Sequence, residues 1–176
     1  MNASGTQCTG GNCRITGCNG GFYDVDGSYS NGCECQDTGG STSCTTPSSL
    51  GTLAVTGSTQ VSGTLPAAGQ EDWFTVTFTG NTMGGYHPHV FLSSNPGGIF
   101  KIDIYQNCTP SALGCGIEGG SSVNLTDWEV FYNVFNGGSP GFQPIPPVGA
   151  GGTIFIRVRR TTGGLSCVGY TLNAQN

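Results

Sequence analysis

The sequence predicts an all-β protein, a sandwich of mainly antiparallel strands behind a small disulfide-stapled N-terminal segment. Three observations carry this. In the stretch 70–80 (Gln-Glu-Asp-Trp-Phe-Thr-Val-Thr-Phe-Thr-Gly), Phe74, Val76 and Phe78 alternate with Thr75, Thr77 and Thr79. A period of two buries one face of a strand and leaves the other polar. No window gives an amphipathic helix of ten or more residues, and the remaining apolar runs are short and bounded by Gly, Pro and Asn turns. Finally, Cys8, Cys13, Cys18, Cys33, Cys35 and Cys44 crowd the beginning of the chain, whereas only Cys108, Cys115 and Cys167 follow.

Residues 1–45 mix glycine, cysteine and small polar residues with almost no periodicity, which predicts loops held by disulfides. So short a piece with few bulky apolar side chains cannot make a sufficient core by itself. A cysteine metal site is the alternative, but no CxxC pair occurs and the intervals suit zinc poorly. Nine cysteines leave at least one outside intramolecular pairs, and Cys108 and Cys115 are close enough in sequence to close a small loop. Residues 38–49, low in bulk, read as a linker, so the expected organisation is a cysteine-rich segment over 1–45 and a sandwich over 46–176.

Within the sandwich, strands are expected at 53–55, 60–65, 70–80, 87–92, 100–105, 128–134, 153–160 and 169–173. Phe100, Ile102 and Ile104 share one face of their strand, and Ile154, Ile156 and Val158 share one face of theirs. Two long connections, 108–122 and 137–152, are too rich in glycine and proline for regular structure and are of the length that tends to serve function.

Glycine is abundant at 32 residues and charged residues make up only 9%, with Ser and Thr filling many surface positions. Such a profile suits a secreted or cell-surface protein in an oxidising compartment. No apolar run is long enough to span a membrane, and no secretory leader is evident, so the chain is expected to be a mature or trimmed form. A net charge of −5 argues against nucleic-acid partners, whose phosphates would be repelled.

The strand sequences Ser62-Gly-Thr-Leu65, Glu71-Asp-Trp-Phe74, Phe100-Lys-Ile-Asp-Ile-Tyr105, Gly152-Thr-Ile-Phe-Ile-Arg-Val158 and Gly169-Tyr-Thr-Leu172 resemble, in this order, the bacterial pre-peptidase C-terminal domain. The resemblance covers about residues 50–173. It implies a jelly-roll-like sandwich attached to a secreted protease or other extracellular enzyme, acting in secretion, substrate binding or maturation. The two long inserts and the three cysteines depart from the compact form of that family. A second resemblance covers about residues 8–35. Gly20-Gly-Phe-Tyr-Asp-Val-Asp-Gly27, followed by Asn31-Gly-Cys-Glu34, is similar to a cysteine-rich repeat of large secreted and surface proteins of myxobacteria and related deltaproteobacteria.

Asp24, Asp26, Ser28 and Glu34 offer hard oxygen ligands around Gly27, the logic of a calcium loop. The acid falls one place short of the EF-hand position, and an Asx-turn closed by a disulfide is the alternative. Arg157 and Arg159, with Phe155, are expected on the outward face of their strand. This basic, aromatic ridge suits a carboxylated or sulfated glycan or an acidic partner through bidentate contacts; alternatively, outward arginines keep an edge strand soluble. Trp73, Trp128, Tyr86 and Tyr132 fall at or near the non-core face, where aromatics stack on sugars, or else lie beneath loops as satellite core. His87 and His89 would share one strand face and reach a transition metal, but no third ligand stands nearby in sequence; two solvent-facing histidines are the alternative.

Catalysis finds little support, since no nucleophile is recognisable around the histidines, although Asp72, Asp103, Asp127 and Glu129 leave a carboxylate pair open. The sequence thus points to a non-catalytic extracellular module that binds glycan, protein or cell surface. The alternative is a structural subunit of an extracellular fibre or surface layer, joined to copies of itself through its N-terminal arm. A hydrolase comes third.

Overall fold

A computed structural model describes residues 1–79, 87–108, 122–129 and 151–176. The strands in chain order are β1 (Ala3–Thr9), β2 (Asn12–Cys18), β3 (Phe22–Tyr23), β4 (Cys35–Gln36), β5 (Ser48–Leu53), β6 (Ser58–Thr64), β7 (Glu71–Thr79), β8 (His89–Ser94), β9 (Phe100–Tyr105), β10 (Asp127–Glu129), β11 (Gly151–Arg160) and β12 (Gly169–Gln175). A short 3-10 turn at Pro96–Gly98 separates β8 from β9.

Two four-stranded sheets, β10-β8-β12-β6 and β5-β7-β11-β9, form the sandwich. All their pairings are antiparallel except β5 with β7, which is parallel. Phe74, Val76, Phe78, Ile102, Ile104, Ile154, Ile156 and Val158 from one sheet meet Val90, Trp128, Tyr170, Leu172 and Ala174 from the other in a single buried cluster. On the opening strand Phe74, Val76 and Phe78 are at most 1% exposed, while Thr75 and Thr77 are only partly covered. Thr77 instead meets Thr153 of β11 across the outer face at 2.7 Å, so the period-two reading identifies the core of this sheet.

The N-terminal segment has more regular structure than the sequence suggests. β1 and β2 form a ribbon around the two-residue turn Gly10-Gly11, where φ is +58° and +83°. Left-handed backbone at both turn positions is what a tight hairpin needs, and glycine takes it at no steric cost. The Cys8–Cys13 disulfide closes this hairpin, Cys18–Cys33 ties the ribbon to the following loop, and β3 pairs with β4. The expected small loop between Cys108 and Cys115 is overturned. Cys108 bonds Cys44, and Cys35 bonds Cys167, so both cross-links join the front of the chain to the sandwich. Cys115, Tyr86, Tyr132, most of the connection 108–122 and nearly all of 137–152 lie outside the described residues.

Residues 38–41 are a strap rather than a linker. Thr38 bridges Thr64 of β6 and Ser41 bridges Trp73 of β7, so the strap spans the two sheets at one side of the sandwich. Gly39 and Gly40 allow the close approach. A β-carbon at Gly39 would stand 2.6 Å from Asp72 Oδ2, and one at Gly40 would stand 2.7 Å from Phe74 Cζ.

Candidate functional site

The outer face of the β5-β7-β11-β9 sheet gathers Trp73, Phe155, Arg157 and Arg159, four of the five ligand-binding residues suggested by the sequence. Alternation on β11 turns Ile154, Ile156 and Val158 inward and leaves Phe155, Arg157 and Arg159 on the outer face. Register then sets Arg157 beside Trp73 of β7 and Asp103 of β9, and Phe155 beside Tyr105. The Arg157 guanidinium carbon lies 5.5 Å from the ring centres of both Trp73 and Tyr105, themselves 5.5 Å apart. A cation over an aromatic face is attracted by the ring quadrupole, more strongly when partly desolvated.

Carboxylates balance the arginines. Arg157 reaches Asp103 Oδ2 at 2.9 Å and Glu71 Oε2 at 3.3 Å, and Arg159 Nε donates to Asp103 Oδ2 at 2.8 Å. Asp103 is fully buried and also accepts the Asn124 backbone N–H at 2.6 Å, while Arg159 donates to the Asn124 side chain. The Trp73 indole N–H donates to Glu71 Oε1 at 2.8 Å. The expected free basic ridge is therefore corrected: Lys101, Arg157 and Arg159 share this face with Glu71 and Asp103, and two of the three cations are already paired. What the arrangement offers a ligand is a nearly neutral surface of the partly exposed Arg157 and Arg159 guanidinium groups beside Phe155, with the Trp73 and Tyr105 rings buried beneath them.

Trp128 is elsewhere. It pairs with Val90 of β8 and is 3% exposed within the core cluster, so it is no platform for a ligand. The strand's outward positions are Asp127 and Glu129 instead. Trp73 is on the outer face as expected, but 8% exposed beneath its neighbours. Tyr105 and Glu71 complete the face and escaped notice in the sequence, where Asp103 stood only as one of four carboxylates, because only the cross-strand register brings the three to Arg157.

The acidic turn forms a second cluster. One carboxylate oxygen from each of Asp24, Asp26 and Glu34 lies within 4.8 Å of the others. Backbone N–H groups feed this turn: Gly27 donates to Asp24, Ser28 to Asp26, and Val25 and Asp26 to Glu34. The Ser28 N–H and the Asn31 amide hold Asp26 below the usual carboxylate range. Ser28 Oγ meets Ser30 Oγ at 2.9 Å. The turn thus has the hydrogen bonds of an Asx-turn and, with three carboxylates converging, the donor chemistry of a calcium site.

Both histidines engage carboxylates. His89 Nε2 meets Asp127 Oδ1 at 2.8 Å, and His87 pairs with Glu129.

No protein-family model matches the sequence, and a comparison with curated proteins finds no match. Among solved structures, the chain is similar to the pre-peptidase C-terminal domain of a collagenase from Bacillus anthracis, with 12% identity and a TM-score of 0.37 over 74% of this chain and 96% of that one. The all-β sandwich itself is defined by the strand pairing and core of this chain.

Proposed function

We propose that the chain is a non-catalytic module of a secreted or surface protein, accessory to an extracellular enzyme, which binds a glycan or protein surface through the outer face of the β5-β7-β11-β9 sheet. The observation that carries this reading is the Trp73–Arg157–Tyr105 stack flanked by Phe155 and Arg159. A guanidinium held by rings and carboxylates is pre-organised, so little entropy is lost when it takes a further hydrogen bond. Because the charges are nearly balanced, the ligand class that fits is an uncharged glycan, stacked on Phe155 and hydrogen-bonded to the guanidinium groups with weak salt dependence. Four disulfides among the described residues support an oxidising compartment. Calcium at Asp24, Asp26, Ser28 and Glu34 belongs to the same reading as a stabiliser of the N-terminal segment. Retention on insoluble polysaccharides, compared between the protein and its Phe155→Ala and Arg159→Ala variants, tests the binding face.

A structural-subunit reading draws on one observation, the β1–β2 ribbon, which among the described residues pairs with no third strand. Its edges can add to a neighbouring sheet. Sedimentation at rising concentration tests it, and a protein that stays monomeric contradicts it.

A further inference from the structure

Beyond this reading, we propose that the free edge of β6, over residues 58–62, is an interface between two copies of this chain, which pair antiparallel about a two-fold axis at Gln60 into one continuous sheet. β6 is the last strand of its sheet, with β12 as its neighbour. At its end the ladder already continues outward, since Thr38 donates to the Thr64 carbonyl at 3.1 Å and Thr64 to the Thr38 carbonyl at 2.7 Å. Thr64 thus turns its N–H and C=O away from β12. The pairing with β12 runs without a register shift, so alternation turns the backbone groups of Ser58, Gln60 and Ser62 the same way. Among the described residues no backbone group meets them.

The other sheet edges are guarded. Ile102 of β9 exchanges hydrogen bonds with Leu125, and Ile104 donates to the Ser122 carbonyl, so β9 is covered. β10 is short and carries Asp127 and Glu129, and β5 is broken by a register shift around Gly51, whose φ is +89°. Charges, bulges and coverings of this kind keep edges from pairing. β6 (Ser-Thr-Gln-Val-Ser-Gly-Thr) has no charge, proline or bulge. Its neighbours β5 and β12 carry no charged residue either, so in a chain of net charge −5 this side lets two copies approach without like charges facing each other.

The occupant is a second copy because the edge complements itself. An axis at Gln60 sets that residue against its own counterpart and Ser58 against Ser62 of the partner subunit, and every pair so formed is of the hydrogen-bonded kind. Thr59 and Val61 then meet across the interface as β-branched neighbours. Both are half-buried in the single copy, where Val61 packs on the core. The length fits as well. β6 begins at Ser58, just after the turn closed by the Gly57 N–H on the Ala54 carbonyl, so the partner strand leaves the edge where the strap begins.

The test is sedimentation equilibrium of the intact, disulfide-bonded protein, together with residue-resolved amide exchange by NMR. A monomer–dimer equilibrium is expected, with the Ser58, Gln60 and Ser62 amides exchanging more slowly as concentration rises and the Thr59 and Val61 amides, which face β12, unchanged. Gln60→Pro removes an N–H that pairing with β12 does not use, so it should melt like the parent and dimerise at least about tenfold more weakly. A protein that stays monomeric at about 1 mM, a dimer whose Ser58, Gln60 and Ser62 amides exchange at an unchanged rate, or undiminished dimerisation of a folded Gln60→Pro variant overturns the proposal. The two-fold axis closes this pairing at two copies, whereas the ribbon reading requires ever larger species, and none of these outcomes bears on polysaccharide retention by the opposite sheet.

Discussion

Tyr170 donates its phenolic hydroxyl to Asp72 Oδ2 at 2.5 Å, and each residue is only 1% exposed. The pair joins β12 of one sheet to β7 of the other directly beneath the Gly39-Gly40 strap. Burial lifts the Asp72 carboxyl from 3.8 to about 6, against the lowering effect of the Tyr170 hydrogen bond and with nearby Asp37 adding to the rise.

Stability should therefore depend on pH in a definite sense. The folded protein holds a proton on Asp72 that the unfolded chain has released between pH 3.8 and about 6. The contribution is fully present below that window and is lost as pH rises through 6, on the order of 2–3 kcal/mol. Asp26, held low, acts in the opposite sense only below the window. Chemical denaturation from pH 4.5 to 7.5 should show stability falling with pH, and Asp72→Asn should flatten the slope. A slope unchanged in Asp72→Asn contradicts the assignment.

Arg160 should prove structural, in contrast to Arg157 and Arg159. It is 2% exposed, and its guanidinium donates to the carbonyl oxygens of Leu65, Pro66, Thr162, Gly164 and Ser166. Arg160→Met strands the buried Leu65 and Pro66 carbonyls, at a cost of about 1–3 kcal/mol for each one left without a partner. Thermal melting should show a large loss of stability, and Arg160→Lys should recover little of it, because one ammonium cannot span the cradle.

The two long-range disulfides should matter far more than the hairpin disulfide. Cys35–Cys167 spans 132 residues and Cys8–Cys13 only 5. Loop-closure entropy assigns them about 5 and about 2 kcal/mol respectively. Paired Cys→Ser variants compared by denaturant midpoint check the order, and equal losses contradict it.

Calcium at a few millimolar should raise the melting temperature by a few degrees, as binding to an extracellular-type site of about 0.1–1 mM affinity requires. The shift should vanish in Asp26→Asn. A shift that persists in that variant places the ion elsewhere, and no shift leaves the acidic turn as an Asx-turn alone.

How much was legible depended on whether a feature is local. The alternation of Phe74, Val76 and Phe78 and of Ile154, Ile156 and Val158 revealed the core of one sheet, because burial on a strand repeats every second residue. The 100–105 strand matches its expected bounds as Phe100–Tyr105. Cross-strand chemistry was not legible. Asp103 neutralises Arg157 and Arg159 from 54 and 56 residues away, and Glu129 reaches His87 only through β10–β8 pairing. Trp128 misled because its neighbours Asp127 and Glu129 are polar on both sides, a pattern that equally describes an inward residue on an edge strand. The ribbon at 3–18 carried one unread signal, Gly10-Gly11 between two runs of equal length, which is hairpin chemistry.

The central claim, that the guanidinium and aromatic face binds an uncharged glycan, is tested most directly by retention on a panel of insoluble neutral polysaccharides at low and high salt. The account predicts retention on at least one of them, little changed by salt, and lost in Phe155→Ala and Arg159→Ala variants that melt like the parent. Retention on none, or retention undiminished in both variants, contradicts it.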